Sequence, residues 1–272
     1  MFLHTWLPHP ILLYLGPIHL RWYGLLMAAA ALLGIWVVQR IARQYQLDRN
    51  RLFDLSLIVI IVGFISARLY HVLNEWAYYH AHPGEILKVW NGGLAIHGAV
   101  IGGLIAIILM SRRWKWDAWL VMDVITPALA LGQAIGRWGN YFNQELFGRP
   151  TNLPWGIPIE APFRPANYST AAYFHPTFLY ESLGLLVVFI GLWWLHQLRS
   201  HRPNLSWLSR TGAIALIYLL ASSLVRFGVE TLRIDRTPII SGLRLPLLVS
   251  AIIALLTIVI FIIRIKPHPH AA

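Results

Sequence analysis

The chain has 272 residues, of which 57% are hydrophobic and only 12% charged; it carries a net charge of +11 and no cysteine. Water-soluble domains carry about 25% charged residues, and a core of this length cannot hide so much Leu, Ile, Val and Trp, so a soluble globular fold is excluded. The missing cysteines exclude a disulfide framework, a thiolate metal site and a cysteine nucleophile, while the scattered basic residues form no aromatic-interleaved patch of the kind nucleic acids require.

Apolar runs of the ~17–25 residues that cross a bilayer as helix recur along the chain. They predict an all-α polytopic integral membrane protein with seven transmembrane helices, residues 1–272 forming a single transmembrane domain. Residues 1–19 hold Pro8, Pro10, Pro17 and several histidines but neither Lys nor Arg. Without a basic n-region no cleavable signal peptide is expected, and the first span is retained. Span 1 is predicted over 18–38, followed by a basic loop with Arg40, Arg43, Arg49 and Arg51. Span 2 is predicted over 52–71 with Arg68 near its end, and span 3 over 93–110, opening on Gly93 and His97 and followed by Arg112, Arg113 and Lys115. Span 4, over 118–135, runs into the polar stretch 136–149. Residues 136–175 form the longest loop, a small external head region between spans 4 and 5. Span 5 covers 176–195 and precedes Arg199, Arg202 and Arg210; span 6 covers 212–229 and ends on Arg226, Glu230 and Arg233; span 7 covers 245–263. Arg264, Lys266, His268 and His270 make up a plain tail.

The loops after spans 1, 3 and 5 and the tail hold 12 Lys and Arg, against 8 on the other side. The positive-inside rule then puts the N-terminus outside and the C-terminus in the cytoplasm. With that orientation Tyr23, Arg68, His97, Arg137, Asn140, Asn143, Glu181, Arg226 and Glu230 all fall in the outer third of their spans. Polar groups at that depth are costly and usually face a cavity. Arg68, Arg137, Arg226 and Arg233 outnumber the carboxylates Glu181 and Glu230. The guanidinium fork suits phosphate, so the expected ligand is a phospholipid headgroup with its acyl chains between helices. His97 is the candidate general base, being the intramembrane side chain whose ordinary pKa lies nearest neutrality. The glycines at 92–93, 98, 102–103, 132, 136 and 139 are read mainly as helix-packing positions.

Several blocks together carry a family resemblance. They are Arg21-Trp22-Tyr23-Gly24, Ala67-Arg68-Leu69, Gly92-Gly93-Leu94 running into His97-Gly98, His175-Pro176-Thr177 through Tyr180-Glu181, and Arg226-Phe227 through Glu230 and Arg233. Between them, Gly136-Arg137-Trp138-Gly139-Asn140-Tyr141-Phe142-Asn143-Gln144-Glu145 resembles the Gly-Arg-x-Gly-Asn-x-x-Asn-x-Glu signature of the bacterial prolipoprotein diacylglyceryl transferase family. The resemblance implies transfer of the diacylglyceryl group of phosphatidylglycerol to the lipobox cysteine of prolipoproteins, with release of glycerol phosphate and no metal or cofactor. It implies membrane lipids and prolipoprotein signal peptides as partners and the bacterial inner membrane as the location; the oligomeric state is left open by the sequence, with a monomer favoured. His97, Arg137 and Arg226 then fall on catalytic positions. Tyr23, Arg68, Asn140, Asn143, Glu145, Glu181, Glu230 and Arg233 are expected to bind phospholipid or substrate.

The sequence departs from the family pattern at four places, one being the Ser-x-Pro segment common before span 7, which appears only loosely as Leu245-Pro246. Ser222 stands where a tyrosine is usual, with Tyr218 one turn earlier; Ala99 follows His97-Gly98 where a second glycine is usual; Gln144 replaces a glycine before Glu145. Two other readings stand beside the enzyme: a diverged member that binds lipid without catalysis, and a small anionic-solute transporter. Transporters tend to place their sites near the midplane in repeated, broken helices, and neither a repeat nor a polar path to the inner side is visible here.

Overall fold

The computed structural model describes residues 2–16, 18–202 and 204–265; Pro17 and the tail residues Lys266, His268 and His270 lie outside them. In chain order the described elements begin with a short α1 (Phe2–Thr5), the hairpin β1 (Ile11–Leu15) and β2 (Ile18–Arg21), and α2 (Trp22–Ala42). They continue with α3 (Arg49–Asn74), α4 (Trp76–Ala81), α5 (Ile96–Trp114) and α6 (Ala118–Phe142). A small strand pair, β3 (Ile157–Pro158) and β4 (Tyr173–Phe174), precedes α7 (Thr177–His201), α8 (Ser206–Ser209) and α9 (Ala213–Glu230). The hairpin β5 (Ile239–Ile240) and β6 (Leu243–Arg244) leads into α10 (Leu245–Ile265). Among the described residues seven helices, α2, α3, α5, α6, α7, α9 and α10, are long and apolar enough to cross a membrane. The chain is an all-α polytopic membrane protein.

Most boundaries differ from the sequence reading by a few residues, α7 running to His201 rather than 195 among them, and two of the differences have a clear physical reason. The first span begins at Trp22 rather than residue 18, because the apolar run before it pairs with itself: Leu13 to Leu15 face Ile18 to Leu20 across a turn at Gly16, whose φ of +60° suits glycine. The fourth span does not stop at 135. It stays helical to Phe142, so Arg137 and Asn140 sit one above the other on one face of its last turns.

The chain divides into two compact units, residues 38–124 and residues 1–37 with 125 onward. In the first, Asp48 caps α3, its Oδ1 accepting from the backbone N–H of Asn50 at 2.9 Å and Arg51 at 3.1 Å. α3 then lies against α5 at close range. A Cβ on Gly98 would stand 2.6 Å from the Tyr70 Cβ and 2.8 Å from the Ser66 carbonyl carbon, and one on Gly102 would stand 2.5 Å from the Ser66 Cβ. These two glycines are the small-xxx-small contact that lets the backbones meet.

In the second unit α9 packs against both α7 and α10. Ala130, Leu192, Leu208, Ile214 and Tyr218 form a buried cluster there. Near the C-terminal end of α7 the Arg199 guanidinium donates to the carbonyls of Leu208 at 2.5 Å and Arg210 at 2.6 Å, and Arg264 donates to Thr211 at 3.0 Å. Arginine side chains thus occupy carbonyls in the turn that precedes α9. The segment between α6 and α7 builds its own small core from Tyr141, Phe147, Ile157, Ile159, Phe174 and Phe178, with Leu3 and Trp6 packed on it. That core fixes the polar end of α6.

Candidate active site

Within the larger unit the polar residues meet in one network. Glu181, 4% exposed on α7, is ion-paired with Arg137 of α6 at 2.9 Å and lies 3.5 Å from Arg226 of α9. Arg226 reaches Glu230, one helical turn on, at 2.7 Å. Glu230 is fully buried and is also approached by Arg244 at 2.7 Å and by Arg233 at 3.8 Å. Asp235 completes the network, 2.7 Å from Arg233 and 3.4 Å from Arg244. Four guanidinium groups are therefore interleaved with three carboxylates, and the side chains of Arg137 and Arg226 remain 26% and 25% exposed.

Local structure explains why these groups converge. Gly148 lies where a Cβ would stand 2.8 Å from the His175 Cβ and 3.1 Å from the Leu232 carbonyl, so only glycine lets residues 231–235 run beside 147–149. The pairing is fixed by the Arg149 N–H donating to the Leu232 carbonyl at 2.9 Å, which holds Arg233 beside the ends of α7 and α9. Gly139 plays the same part for Tyr23: a Cβ there would overlap the Tyr23 ring, with Cε2 at 2.8 Å and Cγ at 3.1 Å.

A second group of side chains continues the network. The Asn140 amide turns its oxygen toward Arg137 Nη1 at 3.5 Å and donates from Nδ2 to Glu145 Oε1 at 2.8 Å; Asn143 donates to the same oxygen at 3.2 Å. Glu145 is presented by two non-glycine residues in the left-handed region, Gln144 at φ 52° and Leu146 at φ 58°. Gln144, the departure from the family's glycine, is held in this conformation by its amide. Nε2 donates to the Pro8 carbonyl at 2.9 Å and to Glu160 Oε1 at 3.1 Å, and Oε1 accepts from the Glu160 N–H at 2.8 Å. On the stretch of α6 around Arg137, an apolar crevice of about 350 Å³ is lined by Leu131, Ala134, Ile135 and Trp138 with Leu26, Ser182 and Leu186. Its polar lining groups are satisfied internally, Trp138 Nε1 donating to Ser182 Oγ at 3.2 Å and that hydroxyl to the Ala134 carbonyl at 2.8 Å.

Arg68 lies in the smaller unit. Expected among the phospholipid-binding residues, it spends its guanidinium on backbone carbonyls of its own unit: Nε on Ile86 at 2.8 Å, Nη1 on Gly92 at 2.8 Å and Gly93 at 2.9 Å, Nη2 on Glu85 at 2.6 Å. Its cation also lies 5.1 Å from the Tyr79 ring centroid, and the residue is only 8% exposed. No fork is left for a phosphate; Arg68 organises the 85–93 segment. His97 stands exposed in the first turn of α5, with the Tyr70 ring 5.9 Å away. Tyr218 does not take the place of the missing tyrosine. It is buried with Leu192 and Leu208 about 12 Å down α9 from Arg226, while the Ser222 hydroxyl bonds back to its own helix at Leu219.

Sequence reasoning missed Arg244 and Asp235. An arginine immediately before a hydrophobic span reads as an interfacial anchor, and only the β5–β6 hairpin, which turns the chain back after α9, brings it to Glu230.

Seven helices long and apolar enough to cross a membrane, with a guanidinium–carboxylate network gathered at the ends of three of them, define a polytopic membrane protein with one polar centre in its larger unit. The family model described as prolipoprotein diacylglyceryl transferase matches residues 10–263. A phosphatidylglycerol–prolipoprotein diacylglyceryl transferase of Synechococcus elongatus is 47% identical over 247 residues, covering 90% of this chain and 83% of the relative. The enzyme of that name from Thermosynechococcus vestitus is 47% identical over 224 residues, with 82% and 81% covered. The one from Synechocystis is 43% identical over 252 residues, with 92% and 87% covered. The chain belongs to the prolipoprotein diacylglyceryl transferase family, and is a membrane-embedded transferase of lipoprotein biogenesis.

Proposed function

We propose that the protein transfers the diacylglyceryl group of phosphatidylglycerol to the lipobox cysteine thiol of prolipoproteins in the bacterial inner membrane. The observation that carries this reading is the pair Arg137 and Arg226, drawn to one carboxylate, Glu181, and each still partly open to the surroundings. Fixed donors of this kind stabilise charge that grows during a reaction. The sulfur attacks the glyceryl carbon bonded to the phosphate, the C–O bond breaks, and glycerol phosphate leaves with the electron pair. Arg137 and Arg226 hold that phosphate, while Glu230, Arg233 and Arg244 fix the aim of Arg226. The apolar crevice on α6 takes an acyl chain. A thiol near pKa 8.5 is mostly protonated at neutral pH, and His97, at its family position with an exposed ring, is assigned as acceptor of that proton. The substrate supplies the sulfur, in keeping with a chain that has no cysteine of its own.

Residues 136–175 form the external head region in this reading, with the N-terminus outside and the C-terminus in the cytoplasm. Two experiments test it. Mass spectrometry of a lipobox peptide incubated with the purified protein and phosphatidylglycerol is expected to show a diacylglyceryl mass gain on cysteine, lost in His97→Ala and Arg137→Ala. No gain with a folded protein that still binds the lipid would favour the diverged lipid-binding member. Because the chain lacks cysteine, Ser169→Cys and Ser200→Cys report orientation directly: a membrane-impermeant maleimide applied from outside is expected to label the first alone.

A further inference from the structure

The cavity beside Glu145 is not explained by lipid binding. It measures about 370 Å³, with Leu146, Phe147, Phe163 and Ile234 as apolar wall and Asn143, Glu145 and Asp235 as polar rim. At roughly 30 Å³ of liquid volume per water, it has room for about a dozen, far more than the hydroxyls of a glycerol headgroup fill. We propose that this cavity seats the acceptor peptide, holding an extended segment next to its cysteine; the inference rests on the transfer reaction proposed above.

Charge separates the two substrates. The neighbouring arginine network attracts a phosphate, whereas the cavity rim carries Glu145, which has no cationic partner among the described residues, beside Asp235, which is already paired with Arg233 and Arg244. Its Oε1 is held by Asn140 and Asn143, which leaves Oε2 to accept N–H groups. A peptide backbone supplies such donors without charge, and an apolar side chain beside them meets Phe147 and Phe163. The strained turn points the same way. Left-handed conformations at Gln144 and Leu146 are unfavourable for residues with a Cβ and concentrate at functional sites; here they aim Glu145 at the cavity. The Asn140 amide, contacting Glu145 on one side and Arg137 on the other, makes cavity and arginine network neighbours through a single side chain. A cysteine at the mouth of the cavity therefore faces the lipid phosphate.

The test uses the full chain in phosphatidylglycerol nanodiscs and a lipobox peptide whose cysteine is replaced by serine, with a benzophenone amino acid directly after it. Irradiation is expected to give an adduct on residues 143–147 or 163–165. In steady-state assays with the cysteine peptide, Phe163→Ala is expected to raise the KM for peptide about tenfold, the effect of losing one large apolar contact, with the KM for phosphatidylglycerol unchanged. Phe163→Leu recovers most of it. Phe163 is 48% exposed, so its truncation spares the fold. Adducts elsewhere, or a KM change for the lipid in place of the peptide, would overturn the assignment. Absence of any transfer by the unaltered chain would overturn the proposed reaction instead, since the adduct alone decides where the peptide sits.

Discussion

Glu230 is the residue on which the arginine network depends most. It is fully buried, and its two oxygens serve Arg244 and Arg226 at 2.7 Å each, with Arg233 at 3.8 Å. Glu230→Ala leaves three guanidinium groups sharing what Glu181 and Asp235 can supply, and removing one partner of a buried pair costs about 3–5 kcal/mol. Because the side chain has no solvent exposure, screening does not reduce that figure. For a chain of this size the loss corresponds to a melting temperature lower by about 6–10 °C. Glu230→Gln keeps the volume and one acceptor, so its drop is expected to be about half as large. Asp235→Ala, which removes a carboxylate that is 24% exposed, is expected to cost about 1 kcal/mol. Thermal unfolding of the purified variants in one detergent gives the ranking. In Glu230→Gln, still folded at the assay temperature, transfer is expected to fall about tenfold because Arg226 is no longer aimed. A Glu230→Ala protein melting within about 2 °C of the parent would refute the view that this carboxylate holds the network together.

Three other substitutions test separate parts of the structure. Gly98→Ala is expected to destabilise by about 1–3 kcal/mol, because its methyl meets Ser66 backbone, while Gly191→Ala, with nothing within 4 Å, is expected to be neutral or slightly stabilising; equal melting temperatures would remove the close α3–α5 contact from the account. At position 144 the stability order is expected to be Gln, then Gly, then Ala. Glycine relieves the left-handed strain of about 1–2 kcal/mol while losing the three amide hydrogen bonds, and alanine loses the bonds and keeps the strain; an alanine variant as stable as the glycine one would contradict this. Arg68→Lys is expected to speed amide hydrogen exchange over residues 85–93 and leave the KM for phosphatidylglycerol unchanged, whereas a raised KM with unaltered exchange would restore Arg68 to the phosphate site.

The spans were legible because a bilayer demands about 20 apolar residues of every crossing helix, and no tertiary context overrides that demand. Their ends were less so. Residues 11–21 are as apolar as a span, and only their pairing across Gly16 shows them to be a hairpin. The end of α6 was hidden by Gly136 and Gly139, weak helix formers, and by the charge of Arg137, which ends the apolar run; all three are helical where Tyr23 packs on Gly139 and Glu181 meets Arg137. For the network, residue type was informative for Arg137, Arg226 and Glu230, whose charges have no place in an apolar helix without partners. For Arg68 it was not enough, since a sequence cannot show that four backbone carbonyls already surround a guanidinium. Arg244 and Asp235 lie in a segment of ordinary loop composition, and chain reversal alone gives them their role.

If the proposed transfer is the reaction, the near balance of charge in the network bears on its turnover. Four arginines set against three carboxylates are largely neutralised before any lipid arrives. An incoming phosphate gains attraction from Arg137 and Arg226 only by loosening their hold on Glu181, so docking is an exchange of anions rather than the filling of a bare positive hole. The same exchange runs in reverse once the diacylglyceryl group has moved. Glu181 competes for the guanidinium groups against the released glycerol phosphate, whose charge exceeds that of the parent diester. A site of unopposed arginines would bind that product more tightly than the substrate and stall on it; in the proposed reaction the resident carboxylate opposes that.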